Sequence, residues 1–436
     1  MYNINSRGDM PIFEYLYVCI KNDILSGKFK RGSKLPSKRT MANLCGVSVI
    51  TVENAYSQLI DEGYIKSVEK KGYFVEEITV IQSSDEKKVF TDQSVKAVDL
   101  SNSGRHGGNE SFPLNTWSKL MREVISDKRE KLFYRMPSEG IYELRCEISN
   151  YLYRNSGLAV SPDRIIIGAG TEYLCSLLIM LIGRTSIYAF EDPCYKKIPL
   201  IFSANDASVR YVPIDNEGIL IDKLIQSGAS VLHCSPSNNY PSGVITSIGR
   251  RYQLLEWLSK KENRYIIEDD FDSELRTEGK QIQSLASIDP TGRVIFVNTF
   301  TKTISPSFRV GYMILPDTLL AKFKDSMAFF SCTVPSFEQY TLAKFISGGY
   351  FERHLNRMRA NNKIKKNRII KALSRDEFGD YITVLPSKTG TTVCVEFQGE
   401  INQSHVSSEL RKNGIDIDFL SDYTVEKKNF QRGLLL

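Results

Sequence analysis

No Cys-x-x-Cys pair occurs among the eight cysteines of this 436-residue chain, and only four histidines are present to complete a metal set. Cys19, Cys45, Cys146, Cys175, Cys194, Cys234, Cys332 and Cys394 are scattered, which excludes a zinc site or disulfide framework and predicts reduced thiols. No apolar run approaches a bilayer span: the longest, residues 174–182, is less than half of the ~20 residues required. The amino terminus lacks the basic-then-apolar pattern of a signal peptide, so a soluble, cytoplasmic protein is expected. Internal repeats and low-complexity tracts are missing as well. Acidic residues are absent from the whole interval between Asp23 and Glu53.

That last gap is filled with cations. Lys28, Lys30, Arg31, Lys34, Lys38 and Arg39 lie inside it, and residues 1–75 hold eleven Lys/Arg against seven Asp/Glu. Such a concentration fits a polyanion-binding face, with a solvated charged surface as the plainer alternative. At 42% hydrophobic the chain has apolar material for two or three units.

In the first, Phe13, Leu16, Tyr17, Ile20, Ile24 and Leu25 recur at helical spacing up to Gly27. A second helix is expected from Leu35-Pro36-Ser37, with proline in its first turn and serine near its cap, running through Cys45. After Gly46 a third begins near Ser48, with Val52, Ala55, Tyr56, Leu59 and Ile60 facing inward. Two short helices joined by a tight turn form a helix-turn-helix, the later one placed for a major groove. Residues 64–75 then read as a hairpin with Lys70, Lys71 and Gly72 at its tip, a wing suited to the phosphate backbone.

The order of these elements, with Leu35-Pro36-Ser37, Glu62-Gly63-Tyr64 and Lys71-Gly72-Tyr73-Phe74-Val75 at their separations, resembles the winged-helix domain of GntR-type bacterial repressors over residues 10–76. The resemblance implies double-stranded operator DNA as partner. Ser37, Arg39, Ser48 and Thr51 would touch it from the helices, and Lys71 and Gly72 from the wing. One departure is Val49, where the family often has arginine. Residues 77–98 are polar and aperiodic and read as a linker, spanning on the order of 25 Å as flexible coil.

From residue 99 to 436, helical patterns alternate with short apolar runs, the signature of an α/β unit built on a mostly parallel sheet. An apolar strand at 293–297 delivers Lys302, flanked by Thr299, Thr301 and Thr303, into a short loop, and a second strand is expected from Arg309. A lysine at the mouth of an apolar core has a depressed pKa and can attack an aldehyde to form a Schiff base. Read from this segment alone, an ordinary surface lysine is an equal alternative. Ile165-Ile166-Ile167 followed by Gly168-Ala169-Gly170-Thr171-Glu172 and an apolar helix from Tyr173 is a strand–turn–helix at which an anion is favoured. A β-branched strand from Tyr265 ends in Glu268-Asp269-Asp270, where ligands of parallel sheets bind. There an aspartate can keep a pyridinium nitrogen protonated; an acidic surface loop or a divalent-metal site are the alternatives.

Together with Glu191-Asp192-Pro193-Cys194-Tyr195 and Phe308-Arg309-Val310-Gly311-Tyr312, these segments resemble the fold-type I aminotransferases. With the winged helix in front, the whole chain resembles a MocR-type regulator. That resemblance implies pyridoxal 5'-phosphate on Lys302, with Asp269 pairing with the pyridine nitrogen and Tyr195 stacking on the ring. Gly170, Thr171 and Glu172 would cradle the phosphate through their amides, Thr301 and Arg309 would bind it from the other side, and Asn239, ahead of Asn238, would reach the ring hydroxyl. Tyr134 would contribute from the partner in a head-to-tail homodimer. Three departures bear on catalysis. Phe271 replaces a tyrosine that bonds the ring hydroxyl, Lys197 replaces an effector-binding arginine, and leucine stands near the end where aminotransferases keep an arginine for the substrate carboxylate. An enzyme needs that clamp. A regulator sensing an amino compound or pyridoxal phosphate itself is therefore expected ahead of an aminotransferase with a tethered DNA-binding head.

Overall fold

The computed structural model describes residues 2, 4–8, 10–76, 112–277, 283–375, 379–385, 392–399, 401–415, 417–425 and 432–435. The linker expected at 77–98 lies outside them. The chain divides into two compact units, Met1–Val98 and Asp99–Leu436.

In the first unit, helix α1 spans Ile12–Leu25, α2 Lys38–Cys45 and α3 Val49–Asp61, followed by strands β1, Ile65–Val68, and β2, Gly72–Val75. Leu16 and Ile20 of α1, Met41 and Ala42 of α2, and Val52, Ala55, Tyr56 and Leu59 of α3 are buried together and hold the three helices. Phe13 and Leu25, in the terminal turns of α1, are instead partly exposed, because the apolar stripe runs past the helices it packs on. Pro36 lies outside α2 rather than in its first turn. The cap is Ser37, extended at ψ 157, whose hydroxyl accepts from the Thr40 amide at 3.1 Å. Ser48 caps α3 in the same way through the Thr51 amide at 3.1 Å. Between the helices Gly46 takes the left-handed conformation, φ +65, that closes α2. The antiparallel hairpin pairs Ile65 with Val75 and Val68 with Gly72, and Lys34 forms a bridge with Phe74 that ties it to the approach of α2.

The second unit carries an eight-stranded sheet built from β3 (Ile165–Gly168), β4 (Ile187–Asp192), β5 (Ser208–Asp215), β6 (Gly218–Ile219), β7 (Val231–Cys234), β8 (Tyr265–Asp269), β9 (Val294–Thr299) and β10 (Gly311–Ile314). Their order is β3-β10-β9-β8-β7-β4-β5-β6. The run from β9 through β5 is parallel, whereas β10 is antiparallel to both of its neighbours and β6 is antiparallel to β5. Alternate residues serve opposite faces. Ile165, Ile167, Phe296 and Tyr312 join one core, and Ile166, Ile295, Val297 and Met313 the other. Burial on both faces explains why these strands read as continuous apolar runs.

Helices α4 (Leu114–Lys128), α5 (Tyr142–Ser156), α6 (Thr171–Ile182), α7 (Lys197–Ala204), α8 (Ile221–Gln226), α9 (Ile248–Ser259), α10 (Leu285–Ile288), α11 (Asp317–Met327), α12 (Ser336–Ser347) and α13 (Tyr350–Leu373) accompany the sheet. Beyond α13, β11 (Ile382–Leu385), β12 (Val393–Phe397), α14 (Gln403–Lys412), β13 (Ile417–Phe419) and β14 (Arg432–Leu435) form a smaller lobe on an antiparallel sheet ordered β11-β12-β14-β13. The lobe is tied to the loops that follow β4 and β7 by the Cys194 amide on Tyr423 O at 3.1 Å and the Tyr240 hydroxyl on the Tyr423 hydroxyl at 3.2 Å.

Candidate functional site

The carboxyl ends of the parallel strands converge on one region, where ligands of such sheets bind. Lys302 enters it just beyond β9. The turn that carries it is fixed on both sides: Phe300 N–H donates to Val310 O at 2.9 Å, Ile304 N–H to Phe300 O at 2.8 Å, and both side chains are buried. Strand β10 starts at Gly311 rather than Arg309, because the segment before it closes this turn. Lys302 itself is half-buried, and its Nζ lies 5.8 Å from the centre of the Phe271 ring. Burial pushes its pKa down, and the Asp272 carboxylate opposes that shift. An amine so placed is easier to deprotonate than a surface lysine.

Asp269 ends β8. Burial, together with Asp270, Asp272 and Glu191, raises its carboxyl to about 7. Its Oδ1 is buried with no hydrogen-bond partner among the described residues, and its Oδ2 lies 3.6 Å from His233 Nε2. His233 stacks on Phe190 at 5.3 Å between centroids, and burial lowers its pKa to about 4, so at neutral pH it is an uncharged imidazole. A buried carboxylate oxygen without a partner is costly unless a ligand supplies the donor. The protonated nitrogen of a pyridine ring is such a donor.

The other acids of the run have different employment. Glu268 accepts the Leu285 and Ala286 amides at 2.8 and 2.9 Å and thereby caps α10. Asp270 accepts from the Ser273 hydroxyl at 2.5 Å, and Asp272 from Asn238 Nδ2 at 2.7 Å. Asn239 donates to Glu191 Oε2 at 2.9 Å and Pro193 O at 3.2 Å, and its own oxygen accepts from Ser242 at 2.6 Å. Its amide is therefore committed to holding two loops together, and Asn238 is engaged as well. Tyr195 is 44% exposed before α7 and meets Tyr240 edge to face at 5.9 Å.

The anion cradle lies at the start of α6, which begins at Thr171 rather than Tyr173. Gly170 contributes its shape. At φ +82 it occupies backbone space unsuited to other residues, and an added Cβ would stand 2.8 Å from Arg309 Nη2. Its amide is turned to Gly168 O at 2.8 Å, which leaves the anion-facing amides to Thr171 and Glu172 in the first turn. Across the turn Thr299 and Thr301 join hydroxyls at 2.8 Å. Arg309 Nη2 lies 3.2 Å from Glu172 Oε1, and Lys197 pairs with the same oxygen. Those two cations, Lys197 foremost, hold the Glu172 carboxyl below its usual range. Tyr134 is 65% exposed beyond the turn at 129–133.

In the other unit the expected DNA residues divide by role. Arg39, Lys71 and Ser48 are exposed, and Gly72 holds the hairpin tip at φ +112 with Lys34 Cε 3.0 Å from where its Cβ would be. Ser37 and Ser48 spend their hydroxyls as caps, and Thr51 bonds back to Ser48 at 2.8 Å. Lys38 pairs with Glu53 at 2.5 Å. Reading the residues in order missed His233 and Asp272. Both stand beside residues that were found, and a polar side chain inside an apolar strand was the signal for the first.

Comparison with known proteins accounts for both units. Residues 14–75 match the bacterial regulatory proteins of the gntR family, and residues 96–430 match aminotransferase class I and II. The chain is 33% identical over 427 residues to the HTH-type transcriptional regulator YdeL of Bacillus subtilis, covering 95% of this chain and 90% of that one. The probable rhizopine catabolism regulatory protein MocR of Rhizobium meliloti is 26% identical, with 97% and 89% covered. The chain belongs to the MocR-type transcriptional regulators.

A further relative of this regulator is the pyridoxine biosynthesis transcriptional regulator PdxR of Corynebacterium glutamicum, 27% identical with 93% and 87% covered. Among solved structures an archaeal alanine:glyoxylate aminotransferase superposes with a TM-score of 0.66 at 26% identity, covering 75% of the regulator and 83% of that chain. The regulator thus joins a DNA-binding head of the gntR family to an α/β body with the fold of the aminotransferases. Among the described residues no helix is long and apolar enough to cross a membrane, and no group of His, Cys, Asp and Glu could hold a metal ion.

Proposed function

We propose that the body of this regulator binds pyridoxal 5'-phosphate through Lys302 and uses it to sense an amino compound, or the cofactor's own abundance, and that the head acts on an operator in response. The observation that carries this reading is the buried Oδ1 of Asp269, without a partner among the described residues, in the same site as an amine of depressed pKa. When bound, the cofactor supplies an aldehyde that amines trap reversibly and a ring nitrogen whose proton needs a carboxylate. Asp269 would hold that proton, and Tyr195 would lie on the ring. Thr171 and Glu172 amides, Thr301 and Arg309 would hold the phosphate, with Gly170 leaving the room. The amides of Asn238 and Asn239 are engaged in this structure, so the ring hydroxyl falls to one of them only after a local exchange of partners. Tyr134 would complete the site from a partner chain in a homodimer. Residues 10–76 and 99–436 are the two working parts.

A sensor is favoured over an aminotransferase by the leucine near the end of the sequence, where aminotransferases keep an arginine for the substrate carboxylate. Lys197, in the place of an effector-binding arginine, is already held by Glu172 and does not replace that clamp. Turnover needs a free cation to position the substrate carboxylate.

The test is spectroscopic. Purified regulator saturated with pyridoxal phosphate should show the visible band of the bound cofactor, and borohydride should fix one cofactor mass to the peptide containing Lys302. Lys302→Ala should lose both while unfolding at a similar temperature. A band that persists in this variant would refute the assignment.

A further inference from the structure

Helix α3 carries no cation. Its thirteen residues, Val-Ile-Thr-Val-Glu-Asn-Ala-Tyr-Ser-Gln-Leu-Ile-Asp, include two acids and no lysine or arginine. Guanine is read in the major groove chiefly by bidentate arginine or lysine, and this helix has neither to offer. The cations of the head sit elsewhere, among them Arg39 on α2, Lys34 ahead of it, and Lys70 and Lys71 at the hairpin tip, with Lys38 paired to Glu53. Cations off the recognition helix suit phosphate contacts, which fix register and carry no sequence.

What α3 offers at its amino-terminal end is apolar. Ser48 is its cap, so Val49 and Ile50 are its first two residues, and they are 41% and 69% exposed. Val52, Ala55, Tyr56 and Leu59 take the inward face, which leaves Val49, Ile50 and Glu53 outward on the free side. A single exposed aliphatic residue needs no explanation. Two β-branched side chains in succession, at the end of a recognition helix whose first residues contact base edges, do need one. They continue the DNA-binding surface of the helix-turn-helix. One group on a major-groove edge is itself apolar, the C5-methyl of thymine.

We propose that Val49 and Ile50 read thymine methyl groups, so that the part of the operator half-site under the start of α3 is specified by A·T pairs rather than by a guanine contact from that helix. The inference rests on the DNA-binding reading of the head. It assigns the occupant of the apolar face as duplex DNA, not protein.

The experiment uses the full-length regulator, first to select duplexes from a random pool and then to bind the best one with each thymine in turn replaced by deoxyuracil. That exchange removes only the methyl. At one or two positions per half-site affinity should fall roughly fourfold, the worth of one buried methyl. The salt dependence should stay unchanged because no phosphate contact is touched. A Val49→Ala/Ile50→Ala variant, altered only at exposed positions, should bind the thymine and uracil duplexes equally, and Val49→Arg should change the selected base. Indifference to uracil at every position, or discrimination that survives in the double variant, overturns the proposal while leaving DNA binding intact. Failure to select any duplex would instead remove the reading of the head and this proposal with it.

Discussion

His233 Nε2 stands 3.6 Å from Asp269 Oδ2, with the two side chains only 8% and 9% exposed. That separation is too long for a hydrogen bond and short enough for the imidazole dipole to act on the carboxylate in a site that excludes water. It also divides the carboxylate's work. One oxygen faces the histidine and the other is left for a donor that the described residues do not supply.

His233→Leu should therefore raise the Asp269 pKa further above about 7, since the carboxylate loses a polar neighbour and gains an apolar one. The charged form is what holds a ring proton. At pH 7 the variant should bind pyridoxal phosphate with a loss of about 1 kcal/mol, or roughly fivefold in affinity. The loss should shrink by pH 9, where the aspartate is ionised in both proteins. Equal affinities throughout the titration would show that the histidine is only packing against Phe190.

Asp272 makes the opposite kind of prediction for the amine. Its carboxylate favours the charged form of Lys302, against the burial that disfavours it. Asp272→Asn removes that support, so the Lys302 pKa should fall and the neutral amine should be available at lower pH. Stopped-flow capture of pyridoxal phosphate should then be faster at pH 7, with the midpoint of its pH–rate profile shifted to the acid side. The same substitution deletes a carboxyl whose folded pKa, about 7, lies above its unfolded value. Such a group contributes stability at low pH that is lost as pH rises through 7. The variant's thermal midpoint should accordingly fall less than that of the parent between pH 5 and pH 8. A rate profile that tracks the parent would place Asp272 out of reach of Lys302, and a midpoint that tracks it would show the carboxyl is not held neutral by burial.

How much of this was legible in the order of residues follows from the range of the forces involved. The strand that delivers Lys302, the glycine turn before α6 and the acids ending β8 are local patterns of period and composition, and they stand where the sequence puts them. The direction of β10 was not legible, because whether a strand runs parallel or antiparallel depends on which neighbours it pairs with across the sheet. His233 was overlooked for a similar reason. In Val-Leu-His-Cys it reads as one more buried position, and only the register of β7 beside β8 brings it to Asp269. The serines of the head show a different ambiguity. A hydroxyl next to the first amides of a helix suits both a cap and a phosphate contact, and Ser37 and Ser48 are seen acting as caps.

Gly170 offers the sharpest steric test of the anion cradle. Alanine there meets two separate obstacles: a backbone at φ +82, where a Cβ is unfavourable, and the Arg309 guanidinium 2.8 Å from the new methyl. Arg309 is exposed and can swing aside, so the steric obstacle falls mainly on ligand binding and the backbone one on stability. Gly170→Ala should cost about 1 kcal/mol in thermal or urea unfolding of the cofactor-free protein. Its effect on affinity for pyridoxal phosphate should be larger than its effect on pyridoxal, which lacks the phosphate and needs no cradle. Comparing the two ligands isolates the contribution of the turn. If both are weakened equally, Gly170 is only keeping β3 and α6 in line and the phosphate is held somewhere else.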